Sequence, residues 1–295
     1  MNYTNRGSLY VVTAVIPTTG RKSLRRAVES VVRQTVPVWP LVVLDEPEAR
    51  RKVKALLSGL DYELVVTPGK SGGGGARNMG VEKSRTEYVA FLDDDDEWLN
   101  EKTESQLAFI RRGGSTLVSC RSWLVGDERR LVPERLYDGS RRMATYLLDR
   151  STVRLRRNFM QSSSLLLPRS VAASVSWDPD LQRHQDWDFL IRAEIAEVSI
   201  AMLASPLVIV HQASENSISK SANWRASEAW LHTLGDDAGL SSRSRADFFA
   251  SVILRGAMSN REWRESARLV RRALLGRCHA AALFPALAAL RGRRP

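Results

Sequence analysis

Residues 88–98, Tyr-Val-Ala-Phe-Leu-Asp-Asp-Asp-Asp-Glu-Trp, are a short apolar run that empties into four consecutive aspartates. Carboxylates crowded at the end of a partly buried strand raise one another's pKa unless a cation neutralises them. Side chains alternate along an extended segment, so Asp93 and Asp95 are expected on one side, offering hard oxygen ligands to Mg2+ or Mn2+. A substrate phosphate would complete such a shell, which makes a nucleotide diphosphate a candidate ligand. A solvated acidic loop tip is the plainer reading of the same residues. An EF-hand loop is excluded because Trp98 stands where that loop needs glycine, and a strand rather than a helix precedes the run.

A second polar cluster lies upstream, where Pro68 to Gly80 carries four consecutive glycines followed by Ala76, Arg77 and Asn78. Gly69-Lys70-Ser71 has the ending of a P-loop, but the lysine precedes the glycines and the P-loop spacing is missing. No dinucleotide fingerprint fits either, since the segment follows the third predicted strand. Two readings stay open, a flexible linker and a ligand cradle. In the second, Gly75 lets backbone approach a ligand while Arg77 and Asn78, at a helix start, bind phosphate or ribose oxygens. His211 ends a later strand, where a lone histidine is more often an ordinary hydrogen-bonded side chain than a ligand.

The elements that must position these residues alternate along the chain. Leu9 to Ile16 reads as a buried strand stopped at Pro17-Thr18-Thr19-Gly20. Leu24, Ala27, Val28, Val31 and Val32 recur with helical spacing behind Ser23 as a cap, and Pro37 to Pro40 close that helix. Strand 41–44, helix 48–58, strand 63–67, the glycine segment with a helix to about Ser84, and strand 88–92 follow. This order predicts an α/β fold, a mostly parallel twisted sheet with helices on both faces, whose ligands bind beyond the carboxyl ends of the strands. Thr18, Asp45, the glycine segment and Asp93–Asp96 all fall at that edge. Later come a helix over 100–112, a strand over 116–119, a strand over 161–167, a helix over 186–197 and a strand pair over 200–211 broken at Pro206. Residues 123–160 give no clear periodicity. Beyond Asn216 the pattern turns helical, over 224–234, 245–258 and 263–275, so a boundary is expected near 215, with a domain over 1–215 and a basic helical region over 216–295.

With 43% hydrophobic and 26% charged residues in 295, a globular chain is expected and disorder is not the default. No apolar stretch reaches the roughly 18 residues needed to span a bilayer, and a cytoplasmic protein is expected. Cys120 and Cys278 fit no zinc or redox spacing. The net charge is +11, and residues 216–295 carry 14 Lys/Arg against 6 Asp/Glu, which favours phosphate-rich or anionic partners. The tail from Cys278 to Arg294 is an Ala/Leu stretch interrupted by Pro285 and followed by Arg291, Arg293 and Arg294. It reads equally as a peripheral membrane contact at the inner face of the cell membrane and as a helix packed on the rest of the protein.

Ile16-Pro17-Thr18, the helix containing Ala27-Val28-Glu29-Ser30-Val31 and ending in Gln34-Thr35, Gly75-Ala76-Arg77-Asn78-x-Gly80, and the block from Phe91 to Lys102 together resemble family 2 glycosyltransferases over roughly residues 9–215. The resemblance implies a GT-A (Rossmann-like) fold and metal-dependent, inverting transfer with Mn2+ or Mg2+. It implies a nucleotide-diphosphate sugar donor, UDP-linked by preference, and a hydroxyl acceptor on a polysaccharide or lipid-linked glycan. In the same terms Pro17, Thr18 and Thr19 line the nucleotide pocket, and Asp45-Glu46, where the family usually writes Asp-Asp, contact the base. Gly75, Arg77, Asn78, Asp93 and Asp94 bind the nucleotide sugar. Asp93 and Asp95 hold the metal, with His211 a weaker candidate. His184-Gln185-Asp186-Trp187-Asp188, with Gln185 in place of the usual Glu, makes Asp186 the catalytic base; an aspartate capping the following helix is compatible with that role. The rival enzyme class is a nucleotidyltransferase, for which Pro17-Thr18-Thr19-Gly20-Arg21 is a poor signature. A non-catalytic basic protein binding nucleic acid or a membrane surface on a transferase scaffold is the other rival; no nucleic-acid module is recognisable, and no nucleic-acid partner is expected.

Overall fold

The computed structural model of the protein describes residues 10–113, 116–152, 158–212 and 223–290. Its sheet is built on β1 (Val12–Thr18), whose alternation divides the core: Val12, Ala14 and Ile16 join one apolar cluster and Val15 joins the other. α1 (Leu24–Val32) covers the first face with Leu24, Ala27, Val28 and Val31. Ser23 makes no side-chain cap, contrary to expectation. β2 (Val38–Leu44) lies parallel to β1 and starts earlier than the prolines suggest, with Pro40 opposite Ala14. Its other neighbour, β3 (Glu63–Val66), pairs only from Leu41 onward, so Pro40 sits where one side of the strand is open and its missing N–H costs no bond. α2 (Arg50–Leu56) connects these two strands.

α3 (Gly72–Lys83) incorporates the glycines into its first turn, so they are neither linker nor loop. β4 (Tyr88–Phe91) returns beside β1, and a two-residue β5 (Glu97–Trp98) and α4 (Lys102–Arg111) follow the aspartates. The long β6 (Leu117–Val125) pairs with the hairpin strand β7 (Arg129–Val132), and α5 (Met143–Leu148) follows within the stretch that gives no clear periodicity in sequence. Where a strand was expected over 161–167, Ser162–Ser164 form a tight helical turn and the strand is confined to β8 (Leu166–Pro168). α6 (Arg169–Val175) and α7 (Gln185–Ile195) lead to β9 (Ile200–His211). β9 is a single strand rather than a broken pair, because Pro206 lies opposite Arg121 at a bulge, where the ladder is interrupted anyway.

The sheet order is β3-β2-β1-β4-β8-β6-β9-β5, with β7 off β6. The first four strands are parallel; β8 enters antiparallel to β4, and β9 runs parallel to β6. Then come α8 (Trp224–Thr233), a rod made of α9 (Ser242–Phe248), a wide π turn (Phe249–Leu254) and α10 (Arg255–Ser259), and finally α11 (Trp263–Leu275) and α12 (Ala280–Leu290). Trp224, Trp230 and Phe248 from these helices lie in the same buried cluster as Phe91 of β4 and Phe189 of α7. The expected boundary near 215 lies outside the described residues, as do Leu9, Arg291, Arg293 and Arg294. No helix among the described residues is long and apolar enough to cross a membrane.

Candidate active site

The aspartate run is a β-turn closed by Asp96 N donating to Asp93 O at 3.0 Å, not an extended segment. The turn sorts the four carboxylates. Asp94 is buried, accepting from Thr18 Oγ1 at 2.6 Å and lying 3.5 Å from Arg21 Nη1. Asp96 is buried too: Oδ2 accepts from Ser163 Oγ (2.7 Å) and Gln161 Nε2 (3.0 Å), and Oδ1 from the His211 backbone N (3.2 Å). The side chains of Asp93 and Asp95 are 30% and 26% exposed; they are the more open two of the four, opened by the turn and not by the strand alternation expected. Burial raises the Asp94 pKa to about 6 and lifts Asp96 well above its ordinary value; Asp95 is raised by burial and then by Asp93.

Arg77 ties this turn to α7. From the buried face of α3, Nη2 donates to Asp93 Oδ1 (2.6 Å) and Ser162 Oγ (3.3 Å), Nη1 to Gln185 Oε1 (2.9 Å), and the guanidinium lies 4.7 Å from the centre of the Trp177 ring. Burial works against its charge, yet Asp93 and Asp186 more than offset this and hold its pKa up. Asp186 stands in the first turn of α7, close to Ser162, Arg77 and Asp93. Burial raises its pKa to about 6, with Asp93 adding to the rise and Arg77 and Ser162 opposing it. A carboxylate so poised, next to a fixed cation and facing half-open acids, suits proton abstraction near neutral pH.

The glycine helix can approach this closely because it lacks side chains. A Cβ on Gly74 would stand 2.5 Å from Asp178 O, and one on Gly73 would stand 2.8 Å from Gln185 Oε1. Its N-terminus is held by Asp45, which accepts from Ser71 N and Gly72 N, both at 2.9 Å, and from Thr67 Oγ1 at 2.5 Å. Asp45 is thus engaged by the α3 entry, while Glu46 and Thr19 stand exposed and Pro17 is half-buried in β1. Gly75 packs over Ser71 and Pro179. Asn78 is engaged by the Trp177 backbone, with which it exchanges two 2.7 Å bonds. His211 Nε2 lies 2.8 Å from Glu97 Oε1, which also pairs with Arg26 Nε at 3.1 Å. Asp93, Asp95 and His211 do not converge as a trio. Among the described residues the group with ligand atoms within 4.8 Å of one another is Asp149, Asp247 and His279, where Asp247 is already engaged by His279 N and Nδ1 and by Arg150 N.

Arg21, Ser162, Ser163 and Gln161 belong to the site without having been expected there. The signal for three of them is in the sequence: Gln161-Ser162-Ser163-Ser164 is a polar run directly ahead of an apolar strand, and all four are buried.

A family model described as glycosyl transferase family 2 matches residues 13–168. The chain belongs to this family. The matched stretch includes Thr18, Arg77 and the acidic turn but stops short of Asp186. Among curated relatives, the amylovoran biosynthesis glycosyltransferase AmsB of Erwinia amylovora is 31% identical over 185 residues, 60% of each chain. The UDP-Glc:alpha-D-GlcNAc-diphosphoundecaprenol beta-1,3-glucosyltransferase WfgD of Escherichia coli is 29% identical over 104 residues, 34% of this family 2 chain and 41% of WfgD. The chain therefore spans 60% or less of the length of these two relatives. Among solved structures, S. aureus TarS 1–349 in complex with UDP-GlcNAc superposes with a TM-score of 0.61 at 14% identity, over 96% of this chain and 92% of that one. The mannosyltransferase PcManGT from Pyrobaculum calidifontis, in complex with GDP-Man and Mn2+, gives 0.51 at 16% identity, over 96% and 74%. At such identities the likeness is one of fold, and that fold is GT-A.

Proposed function

We propose that this family 2 chain transfers a sugar, with inversion, from a nucleotide-diphosphate donor to a hydroxyl on a polysaccharide or lipid-linked glycan. The observation that carries the reading is Asp186, a half-buried carboxylate whose pKa is raised to about 6, set beside Arg77 and Asp93. Asp186 removes the acceptor hydroxyl proton as that oxygen bonds to the anomeric carbon and the bond from that carbon to the diphosphate breaks. The UDP preference is supported by the donor in the WfgD name and by the TarS complex, and the acceptor class by the AmsB and WfgD names.

The acidic turn fits a divalent cation. Asp93 keeps Oδ2, and Asp95 keeps Oδ1, free of hydrogen bonds to other residues among those described. Both carboxylates are hard, partly exposed donors, and the Asp95 pKa is raised by burial and then by the neighbouring Asp93 charge, which a cation would relieve. Asp93 and Asp95 would hold Mn2+ or Mg2+, which would neutralise charge on the departing diphosphate. Arg21 and Arg77 keep these carboxylates in place.

The test is calorimetric binding of UDP- and GDP-sugars with Mn2+, followed by product analysis with a hydroxyl acceptor. Asp95→Ala should remove metal-dependent donor binding. Asp186→Asn should retain binding and lower transfer by roughly 10²–10⁴. Full turnover by Asp186→Asn would reject the base, and no uptake of any nucleotide sugar by the wild type would reject the donor class.

A further inference from the structure

Six large apolar side chains stand in solvent among the described residues: Val32, Trp263, Leu274, Leu275, Phe284 and Leu287. Five of the six lie on α11 and α12, which are joined by only four residues. At 100° per residue Trp263, Arg264, Arg271, Leu274 and Leu275 fall within about 120° of one another, on the side away from the buried Ser266, Leu269 and Ala273. α12 packs inward through Ala282 and Ala286, and its sequence, AAALFPALAAL, contains no polar side chain to offer water on its open face. A surface helix in water normally carries polar residues there.

The charge around these side chains is one-sided. Between Trp263 and Leu290 there are five arginines and one glutamate. Arg268 and Arg272 pair with Glu228, and Arg268 also with Glu265. Arg264, Arg271 and Arg277 are exposed and make no ion pair among the described residues. Aromatic and aliphatic groups interleaved with unpaired guanidiniums match one kind of partner. The apolar groups enter the acyl boundary while the arginines stay among anionic headgroups.

We propose that the outer face of α11 and α12 is a docking surface for an anionic lipid bilayer, on which the helices lie without crossing it. The eleven residues of α12 are too few to span, and the proposal does not depend on the transfer reaction. Apolar insertion, rather than charge alone, is its distinguishing content, because any chain of net charge +11 is drawn to anionic vesicles.

Co-sedimentation of the full chain with phosphatidylcholine vesicles, with and without phosphatidylglycerol, tests it. Partition should require phosphatidylglycerol and weaken with salt. It should fall roughly tenfold or more in Phe284→Ser/Leu287→Ser and be unchanged in Val32→Ser, the exposed apolar residue of α1. Unchanged melting temperature identifies variants that are still folded; should the double variant fail this control, Leu274→Ser/Leu275→Ser replaces it. Two results overturn the proposal: partition that is indifferent to the apolar substitutions, or a dimer in light scattering that Leu287→Glu dissociates, which would make a second copy the occupant.

Discussion

Lys102 is wholly buried, its ammonium 4.1 Å from the centre of the Trp98 ring and 2.7 Å from Gln106 Oε1, with no ion pair among the described residues. A desolvated cation over an indole gains about 2 kcal/mol, yet burial still lowers the Lys102 pKa to about 8, so desolvation wins. The folded state therefore binds fewer protons than the unfolded state between about pH 8 and the free lysine value of about 10.4, and stability rises with pH across that window. At pH 7 the charge is a net cost. Lys102→Met should accordingly flatten the rise of stability with pH between about pH 8 and pH 10, while leaving the buried Gln106 Oε1 without its donor; calorimetric melting at about pH 7 and pH 10 checks it. Asp186 has the opposite sense. Its raised pKa contributes stability that is present at low pH and lost as pH rises through about 6. Transfer should show an acidic limb near the same pH, since only the ionised carboxylate accepts a proton. The proposed base is thus a group that costs stability at neutral pH, and Asp186→Asn should melt higher at pH 8.

At the scale of elements, α3 and β1 are in such close contact that a Cβ on Gly80 would stand 2.2 Å from Val15 Cγ1. Overpacking of this kind costs about 1–3 kcal/mol, more than the helix propensity of about 1 kcal/mol that alanine gains over glycine. Gly80→Ala should lower the melting temperature, and Val15→Ala should recover part of the loss in the double variant. The same helix shows what the sequence could and could not convey. α1 was legible because Leu24, Ala27, Val28 and Val31 mark one buried stripe. The body of α3 to about Ser84 was legible too, but its start at Gly72 was not, because four glycines have low intrinsic helix propensity; what stabilises that turn is distant, the Asp45 carboxylate on Ser71 N and Gly72 N. In the candidate site the acidic run stood out through residue type alone. Its turn geometry and its partners Ser162, Ser163 and Arg21 did not, since they come from segments far apart in sequence. Pro206 read as a break because the bulge that tolerates it is set by Arg121 on another strand.

Across the whole molecule, the helical region reaches the segment that carries the proposed base. Trp230 Nε1 of α8 donates to Asp188 Oδ1 at 3.2 Å, and Ser227 Oγ lies 2.8 Å from His184 Nε2. His184 has φ of 61° and lies within a ring group with Trp187, Trp230 and Phe248. One residue on each side of Asp186, His184 and Asp188, is therefore held from beyond the sheet. Trp230→Phe keeps most of the ring packing and removes the indole bond, so it should cost about 1–2 kcal/mol. Loss of turnover with little change in donor affinity would show that α8 positions the base, and unchanged turnover would refute it. Because Asp188 and His184 find their partners in α8, a recombinant version trimmed after residue 212 would inherit a severed half-bond at each. Anyone wishing to crystallise the sheet by itself should co-express the remainder as a second polypeptide instead of discarding it.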